Sequence, residues 1–165
     1  MGIEFLEITD FTRGTLCGML ADAYAFDPRW AAERSGDWKA FDDFFFDDPV
    51  IAAKYGFVTV ADGEPVGFIT WDPRHRPEYE EIGYNCILTR DKRRGYGTLQ
   101  LREAVRRILL DRPEKIIVTT NASLIPARKM YERVGFLKTG ERLSPAFPGT
   151  LLDYEYLLPS AGNMP

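Results

Sequence analysis

The sequence predicts a mixed α/β fold, in which a mixed sheet carries helices on both faces. Three observations support this fold class. The chain has 165 residues, which suits one domain, and 45% of them are hydrophobic. Short segments with strand character alternate with segments of helical periodicity, in the order β-α-α-β-β-β-α-β-α-β-β. Only the strand–helix–strand crossovers within residues 80–138 require parallel or crossover pairing.

A strand and two helices are predicted at the start of the chain. Residues 3–8 form the strand, and Thr9 or Asp10 is available to cap the helix that follows. The apolar positions of that helix recur at i, i+3, i+4 and i+7: Leu16, Met19, Leu20 and Ala23. The second helix follows Pro28 and has one aromatic side: Trp38, Phe41 and Phe45.

Three strands are predicted in the middle of the chain. Residues 54–60 and 65–72 form a β-hairpin, because the tetrapeptide at 61–64, Ala-Asp-Gly-Glu, has the composition of a tight turn. The loop at residues 73–77 leads to the third of these strands, at residues 80–89.

Helices and strands alternate in the remaining sequence. The first helix has the apolar stripe Leu101, Ala104, Val105 and Ile108. A β-branched run at residues 115–120 predicts a buried strand, and Ser123 can cap the helix after it. That helix has the apolar stripe Ala127, Met130, Tyr131 and Val134. Gly135 ends the helix, and residues 136–138 and 151–157 complete the sheet.

The predicted domain spans residues 1–158. Residues 159–165, which contain two prolines, a glycine and small or polar residues, are expected to form a disordered tail. No internal repeat and no linker divides the domain.

Charge and composition argue against several classes of partner. The formal net charge is −4, so neither nucleic acid nor an anionic membrane is expected as the main partner. No apolar run approaches the roughly 18 residues of a membrane span. Cys17 and Cys86, together with an N-terminus unlike a signal peptide, indicate a cytoplasmic protein. His75 is the only histidine and no Cys-x-x-Cys pair occurs, so no metal site is predicted.

The most informative segment of the chain is Lys92-Arg-Arg-Gly-Tyr-Gly-Thr98, between a predicted strand and a predicted helix. Glycines let a backbone approach a ligand closely, and the N-terminus of a helix offers free N–H groups to an anion. Three cations precede the first glycine. The pattern predicts a pyrophosphate site, although a helix-capping turn with solvated charges has the same composition.

Two segments resemble the GNAT superfamily of acyl-CoA-dependent N-acyltransferases. Residues 92–97 resemble the family's Arg/Gln-x-x-Gly-x-Gly/Ala loop, and residues 127–136, Ala-Arg-Lys-Met-Tyr-Glu-Arg-Val-Gly-Phe, resemble its Ala-x-x-x-Tyr-x-x-x-Gly-Phe helix end. The resemblance covers nearly the whole domain and implies a central, mostly antiparallel sheet of six to seven strands. Lys92 replaces the usual Arg or Gln. Leu124 replaces a frequent Asn, whose cofactor contact Asn121 or Ser123 would take over.

The same resemblance implies how coenzyme A would bind. Backbone N–H groups from Arg93 to Thr98 hold its pyrophosphate, and Lys92, Arg93 and Arg94 add attraction. The strand that ends near Ile87 diverges from its neighbour, the pantetheine arm lies in the gap, and the Ile87 N–H polarises the thioester carbonyl. The residues expected at acetyl-CoA are therefore Cys86, Ile87, Leu88, Lys92, Arg93, Arg94, Gly95, Tyr96, Gly97, Thr98 and Asn121.

Two residues are implied to be catalytic. Tyr131 matches the tyrosine that protonates the departing thiolate, although it could also be an ordinary core tyrosine. Glu81 stands where many members place a general base that takes the amine proton directly or through a water. It belongs to an acidic cluster with Glu78 and Glu80, so a solvent-facing carboxylate is the alternative. Cys86 as an acyl-accepting nucleophile lacks a convincing base.

The acceptor is expected to be a small-molecule or peptide amine. The helix after Pro28 is aromatic and acidic. Core packing with a solvated face is the favoured interpretation, and a wall that suits a cationic amine is the alternative. The candidate acceptor residues are Trp38, Phe41 and Trp71, and His75 could equally line this pocket.

Taken together, these features predict an acetyl-CoA-dependent N-acetyltransferase that acts by direct attack in a ternary complex, as a monomer or homodimer. The alternative is a non-catalytic acyl-CoA sensor or scaffold of the same fold. A nucleotide-binding oxidoreductase is disfavoured because the segment from Gly95 to Gln100 lacks the third small residue of that fingerprint.

Overall fold

Seven strands form one sheet in the computed structural model, which describes residues 2–147, 149–156 and 158. The strands, in chain order, are β1 Ile3–Leu6, β2 Gly56–Ala61, β3 Glu64–Asp72, β4 Glu80–Ile87, β5 Ile116–Asn121, β6 Phe136–Arg142 and β7 Leu151–Tyr156. The helices are α1 Thr15–Ala23, α2 Pro28–Asp47, α3 Pro49–Lys54, α4 Tyr96–Leu110 and α5 Ile125–Val134. No helix in these ranges is both long and apolar enough to span a membrane.

The sheet order is β1-β2-β3-β4-β5-β7-β6. Every neighbouring pair is antiparallel except β4 and β5, which are parallel and connected through α4. The connection from β5 through α5 to β6 passes over one position, because β7 inserts between β5 and β6. The predicted mixed, mostly antiparallel sheet of six to seven strands is therefore confirmed.

Each face of the sheet has its own hydrophobic core. On one face, α4 and α5 pack over Phe57, Ile82 and other buried residues of the strands. On the other face, α1, α2 and α3 cover Val58, Phe68 and Cys86. Phe57 and Val58 are adjacent in β2 and point to opposite faces, as the alternation of a strand requires. Helices on both faces were predicted, and the structure has them.

The hairpin between β2 and β3 is confirmed together with its turn. Asp62 and Gly63 have φ values of 51° and 83°. Positive φ at both central residues is typical of the tight hairpin turn whose twist matches that of the flanking strands.

The predicted cap of the first helix is wrong. Thr9 and Asp10 lie in or beside a short 3-10 turn, and α1 begins after Gly14, whose φ is 97°. The cap comes instead from α2. The Asp42 carboxylate is 2% exposed and accepts hydrogen bonds from the backbone N–H groups of Gly14 at 2.8 Å and Cys17 at 3.0 Å. It thereby satisfies donors that a local side chain would otherwise serve.

Other boundaries also differ from the predictions: β1 ends at Leu6, β4 at Ile87 and β6 at Arg142. A short helix, α3, follows Asp48, whose carboxylate caps it, so β2 begins at Gly56 rather than at residue 54. Ser123 does not cap α5. Its hydroxyl donates to the Asn121 side chain, while Gly135 ends α5 at a φ of 120° as predicted. Residues 157 and 159–165, including the predicted tail, lie outside the described residues.

Candidate functional site

The parallel strands β4 and β5 diverge after a short paired region. They pair only at Glu80 with Ile116 and at Glu81 with Ile117, although β4 continues to Ile87. Beyond these two pairs, the edge of β4 faces an opening in the middle of the sheet. An extended ligand could lie in this gap and use the backbone groups that β5 leaves free.

The backbone of Ile87 is directed toward this opening. Leu88 N donates to Val66 O at 2.8 Å, so those two residues form a hydrogen-bonded pair of the antiparallel ladder. Such pairs alternate with pairs that do not exchange hydrogen bonds. Ile87, opposite Gly67, belongs to the second kind, and its N–H therefore points away from β3, to the side from which β5 has diverged.

A bulge in β4 changes which side chains face which helices. Trp71 pairs with Ile82 whereas Ile69 pairs with Asn85, so β4 has one extra residue between these pairs. Gly83 lies in the bulge, where an added Cβ would be 2.8 Å from the Thr70 hydroxyl. Because of the bulge, both Ile82 and Asn85 face α4 and α5.

A cavity of about 770 Å³ lies beside the opening. It is lined by residues of α2, β3, β4, β5 and α5. Both predicted catalytic residues and all three predicted acceptor residues contribute to its lining: Glu81, Tyr131, Trp38, Phe41 and Trp71. Asn121, predicted to contact the cofactor, also lines it. The structure therefore brings residues from three parts of the sequence to one site.

Tyr131 is buried at this site with its proton retained. It is 5% exposed, and burial raises its pKa to about 12, whereas a hydrogen bond with the Asn85 side chain partly opposes that rise. The ring packs against Phe136 and Tyr154. Tyr131 is thus both a core residue and a residue of the cavity wall, and at neutral pH its hydroxyl is a proton donor.

A buried network orients Asn85. Gln100 is fully buried and donates from Nε2 to Asn85 Oδ1 at 2.7 Å and to Phe68 O at 2.8 Å. Its Oε1 accepts from the Thr59 hydroxyl at 2.7 Å. Since the Asn85 oxygen is thus engaged, its NH₂ group is directed to α5, where it lies 3.7 Å from Met130 Sδ and beside Tyr131.

Neither Gln100 nor Asn85 was identified from the sequence. Both interrupt otherwise apolar surfaces. Gln100 stands four residues before Ala104 on the apolar stripe of α4, and Asn85 stands beside the buried Cys86 in β4. A polar residue at such a position needs a hydrogen-bond partner, and that requirement was the available signal.

Glu81 is a carboxylate in a partly buried position. Burial and, secondarily, repulsion from Asp72 raise its pKa, whereas His75 and Arg142 act in the opposite direction. Asp72 itself is paired with Arg74 at 2.7 Å. A raised pKa makes Glu81 a better proton acceptor than an ordinary surface glutamate.

Cys86 does not have the surroundings of a nucleophile. Its side chain packs in the core beneath α1 and α2, is 5% exposed, and has its pKa raised by burial to about 12. The thiol therefore remains protonated at neutral pH. His75, the only histidine, is stacked on Tyr79 with ring centroids 4.7 Å apart and is not among the residues that line the cavity.

The glycine loop forms the beginning of α4. Arg93 and Gly95 have φ values of 66° and 85°, and no side chain of the described residues caps the helix. The first N–H groups of α4 are consequently available to an anion. Gly97 has a packing role as well, because an added Cβ would lie 3.0 Å from Met130 Sδ and 3.7 Å from an Ile87 side-chain carbon.

The three cations before the glycines have different surroundings. Lys92 donates to the carbonyl oxygen of Ala23 at the end of α1 and lies 5.0 Å from the centroid of the Phe26 ring. Its ammonium thereby ties the loop to α1. Arg93 and Arg94 are exposed, Arg94 lies 3.8 Å from an Asp91 oxygen, and both can add attraction for an anion at the beginning of α4.

Asn121 links β5 to the segments beside it. Its side-chain oxygen accepts from Ser123 N at 2.9 Å, and its Nδ2 donates to Thr150 O at 3.1 Å. Leu124, at the position of the family's frequent Asn, lines the cavity with an apolar side chain. Asn121 therefore organises the end of β5, where the opening between the strands lies.

The acidic part of the wall predicted for the acceptor side is absent from the cavity lining within the described residues. The α2 carboxylates are engaged elsewhere: Asp37 pairs with Arg34, Asp42 caps α1, Asp43 and Asp47 pair with Arg13, and Asp48 caps α3. The aromatic part is present. No group of histidine, cysteine or acidic side chains that could hold a metal ion occurs in the described part of the chain.

Comparison with known proteins identifies one family model. The model of the Acetyltransferase (GNAT) family matches residues 18–136. No curated protein matches the sequence significantly.

Solved structures have the same fold at low sequence identity. A Desulfovibrio desulfuricans protein described as a GNAT-family acetyltransferase is 16% identical, with a TM-score of 0.74 over 93% of this chain and 98% of that one. The ribosomal-protein-S18-alanine N-acetyltransferase of Escherichia coli is 18% identical, with a TM-score of 0.68 over 94% and 92%. A Bacillus anthracis protein described as a streptothricin acetyltransferase, in complex with acetyl coenzyme A, is 16% identical, with a TM-score of 0.57 over 63% and 62%.

Proposed function

The chain belongs to the GNAT acetyltransferase family, and from this premise we propose that it transfers an acetyl group from acetyl-CoA to a primary amine of a small molecule or peptide. The observation that carries the proposal is the position of Glu81 and Tyr131. Both line one cavity beside the point where β4 and β5 diverge. A proton acceptor and a proton donor thus face the same space, as aminolysis of a thioester requires.

The donor half of the site has the features that coenzyme A requires. The uncapped beginning of α4, with Arg93 and Arg94 beside it, suits a pyrophosphate. The gap between β4 and β5 suits the pantetheine arm, and the Ile87 N–H is directed into that gap. Acetyl-CoA, when bound, supplies the acetyl group as an activated thioester.

Glu81 would act first. A primary amine is protonated at neutral pH and has no free electron pair until it loses a proton. The Glu81 carboxylate accepts this proton, directly or through a water, and its raised pKa brings it closer to the working pH. The free amine then attacks the acetyl carbonyl carbon, whose oxygen the Ile87 N–H stabilises as negative charge develops.

Tyr131 would complete the reaction. Its hydroxyl donates a proton to the sulfur as the carbon–sulfur bond breaks. The attacking nitrogen, which is positively charged after the attack, loses its excess proton to water, and the phenolate regains a proton from solvent. The high pKa of Tyr131 keeps the proton in place until the carbon–sulfur bond breaks. The hydrogen bond from Asn85 stabilises the phenolate until it regains a proton.

Two measurements test the proposal. Calorimetric titration with acetyl-CoA should show saturable one-to-one binding. Incubation with acetyl-CoA and a broad panel of primary amines should release free thiol and give products heavier by one acetyl group. Absence of acetyl-CoA binding by folded protein would refute the proposal. Binding without acetylation of any amine in the panel would favour the acyl-CoA sensor instead.

A further inference from the structure

We propose that the acceptor is a small monoamine with an aromatic body, rather than a polyamine. The inference rests on the proposed function and concerns the acceptor half of the same cavity. It follows from two independent properties of the cavity wall, its aromatic surface and its shortage of negative charge.

The wall formed by α2 and the neighbouring strands is mainly aromatic. Seven rings contribute on this side: Tyr24, Trp30, Trp38, Phe41, Phe44, Phe45 and Tyr84. They contact one another, with centroid distances of 4.8 Å between Tyr24 and Trp30 and 4.7 Å between Phe41 and Tyr84. Edge-to-face and tilted contacts of this kind bind a further ring well, because a ring can join the same packing.

The wall has one carboxylate free for a substrate. Among the described residues that line the cavity, the carboxylates are Asp72 and Glu81. Asp72 is occupied by Arg74, to which it is joined by several hydrogen bonds between 2.7 and 3.1 Å. Glu81 forms no ion pair within the described part of the chain. The acceptor half therefore has a place for one ammonium group.

A second ammonium group would be poorly accommodated. Such a group would lose its water shell and lie against aromatic rings with no carboxylate beside it, and burying a charge in this way is costly. Arg34 also lines the cavity and pairs with Asp37 at 3.2 Å, so this pair leaves no carboxylate free for a second ammonium group. Attraction to the ring faces offsets only part of this cost. These contacts exclude polyamines and leave room for an apolar body.

Matched amines test the inference. We would compare kcat/KM for 2-phenylethylamine, n-propylamine, 1,3-diaminopropane, spermidine and a short peptide with an alanine N-terminus, all with saturating acetyl-CoA. The aryl amine should exceed each of the others by at least about tenfold. Equal or higher kcat/KM for a polyamine, the alkylamine or the peptide would overturn the inference while leaving the proposed function intact. Failure to acetylate any amine would instead count against the proposed function.

A variant pair tests the position of the aromatic body. Phe44 is 48% exposed, so Phe44→Ser should remain folded, and it should raise KM for 2-phenylethylamine several-fold without changing KM for acetyl-CoA. Leu110→Ser, at an exposed position at the end of α4 and outside the cavity lining, is the control and should change neither constant. The same loss for n-propylamine as for the aryl amine in Phe44→Ser would contradict the proposed contact.

Discussion

Tyr131 has a burial and a hydrogen-bonding pattern that together favour proton donation. Its ring is held in the core, and its pKa of about 12 means that the hydroxyl carries its proton throughout the range in which the protein would work. We expect Tyr131→Phe to lower kcat by about a hundredfold or more, because the leaving sulfur loses its acid. Calorimetry should show unchanged affinity for acetyl-CoA. Unchanged kcat would exclude Tyr131 as the donor.

Gln100 should affect the reaction only through Asn85 and Tyr131. In Gln100→Leu the Asn85 amide loses the hydrogen bond that orients it, so kcat should fall about tenfold. The substitution also leaves the Thr59 hydroxyl without its partner, and thermal unfolding measures the resulting loss of stability separately. The same substitution in a Tyr131→Phe background should cause little further loss of kcat. Equal losses in both backgrounds would show that Gln100 acts independently of the tyrosine.

Glu81 should determine how the rate depends on pH. As the pH rises through its raised pKa, the carboxylate becomes able to accept a proton and kcat/KM increases. No decrease from loss of the Tyr131 proton is expected below about pH 10, since the pKa of Tyr131 is about 12. Glu81→Gln should lower kcat/KM by about a hundredfold at neutral pH. This loss of kcat/KM should become smaller as the pH approaches the pKa of the substrate amine, because the amine then loses its proton without help. A loss of the same size at every pH would contradict this role.

At the scale of elements, the predictable parts of the site are those encoded by neighbouring residues. The glycine loop and the end of α5 are contiguous motifs, so both could be read directly, as could the turn at Asp62 and Gly63. Asp42 and Gln100 could not. Asp42 caps a helix 28 residues earlier, and Gln100 contacts Thr59, 41 residues earlier. Spacing along the chain does not predict such pairs. They form only because α1 packs on α2 and α4 packs on the sheet.

The bulge in β4 illustrates the same limit. The strand was predicted at residues 80–89, and simple alternation would place Ile82 and Tyr84 on one face. The extra residue separates them, so Tyr84 packs on the side of α1 and α2 while Ile82 packs beneath α4. Gly83 was a local sign of this irregularity, but its consequence depends on pairing with β3.

A branched side chain at Gly97 should disturb the beginning of α4. An added Cβ meets Met130 Sδ at 3.0 Å, so Gly97→Val should push α4 away from α5 and displace the N–H groups proposed to hold the pyrophosphate. We expect acetyl-CoA affinity to fall at least about tenfold in calorimetric titration. Gly18→Val is the matched control, because an added Cβ there meets nothing within 4 Å, and it should bind normally. Normal affinity in Gly97→Val would argue against the loop as the pyrophosphate site.

The whole molecule can be described as two half-sheets joined at one place. Strands β1 to β4 form one half and β5 to β7 the other, and their only pairs are Glu80 with Ile116 and Glu81 with Ile117 within the described residues. The opening that suits the cofactor exists because this junction is short. Binding and stability therefore depend on the same few residues, with Glu81 on the cavity side and Glu80 on the side of α4.

Glu80 makes the strength of this junction depend on pH. It is fully buried, and burial, followed by repulsion from Asp111, raises its pKa to about 7, while Arg76 acts in the opposite direction. The folded state thus holds a proton that the unfolded state releases near the ordinary glutamate pKa of 4.5. Consequently, this group causes the free energy of unfolding to fall as the pH rises from about 4.5 to 7.

Replacing Glu80 by Gln should remove this pH dependence, since a neutral amide of similar shape cannot ionise. In urea denaturation, Glu80→Gln should be more stable than the original protein by about 3 kcal/mol at pH 8, and the difference should largely disappear at pH 4. Glu33→Gln, at an exposed position on α2, is the control and should show no such trend. If Glu80→Gln were less stable at pH 8, the Glu80 carboxylate would be charged and favourably paired at the junction, and the two half-sheets would be held together by an ion pair rather than by a buried acid.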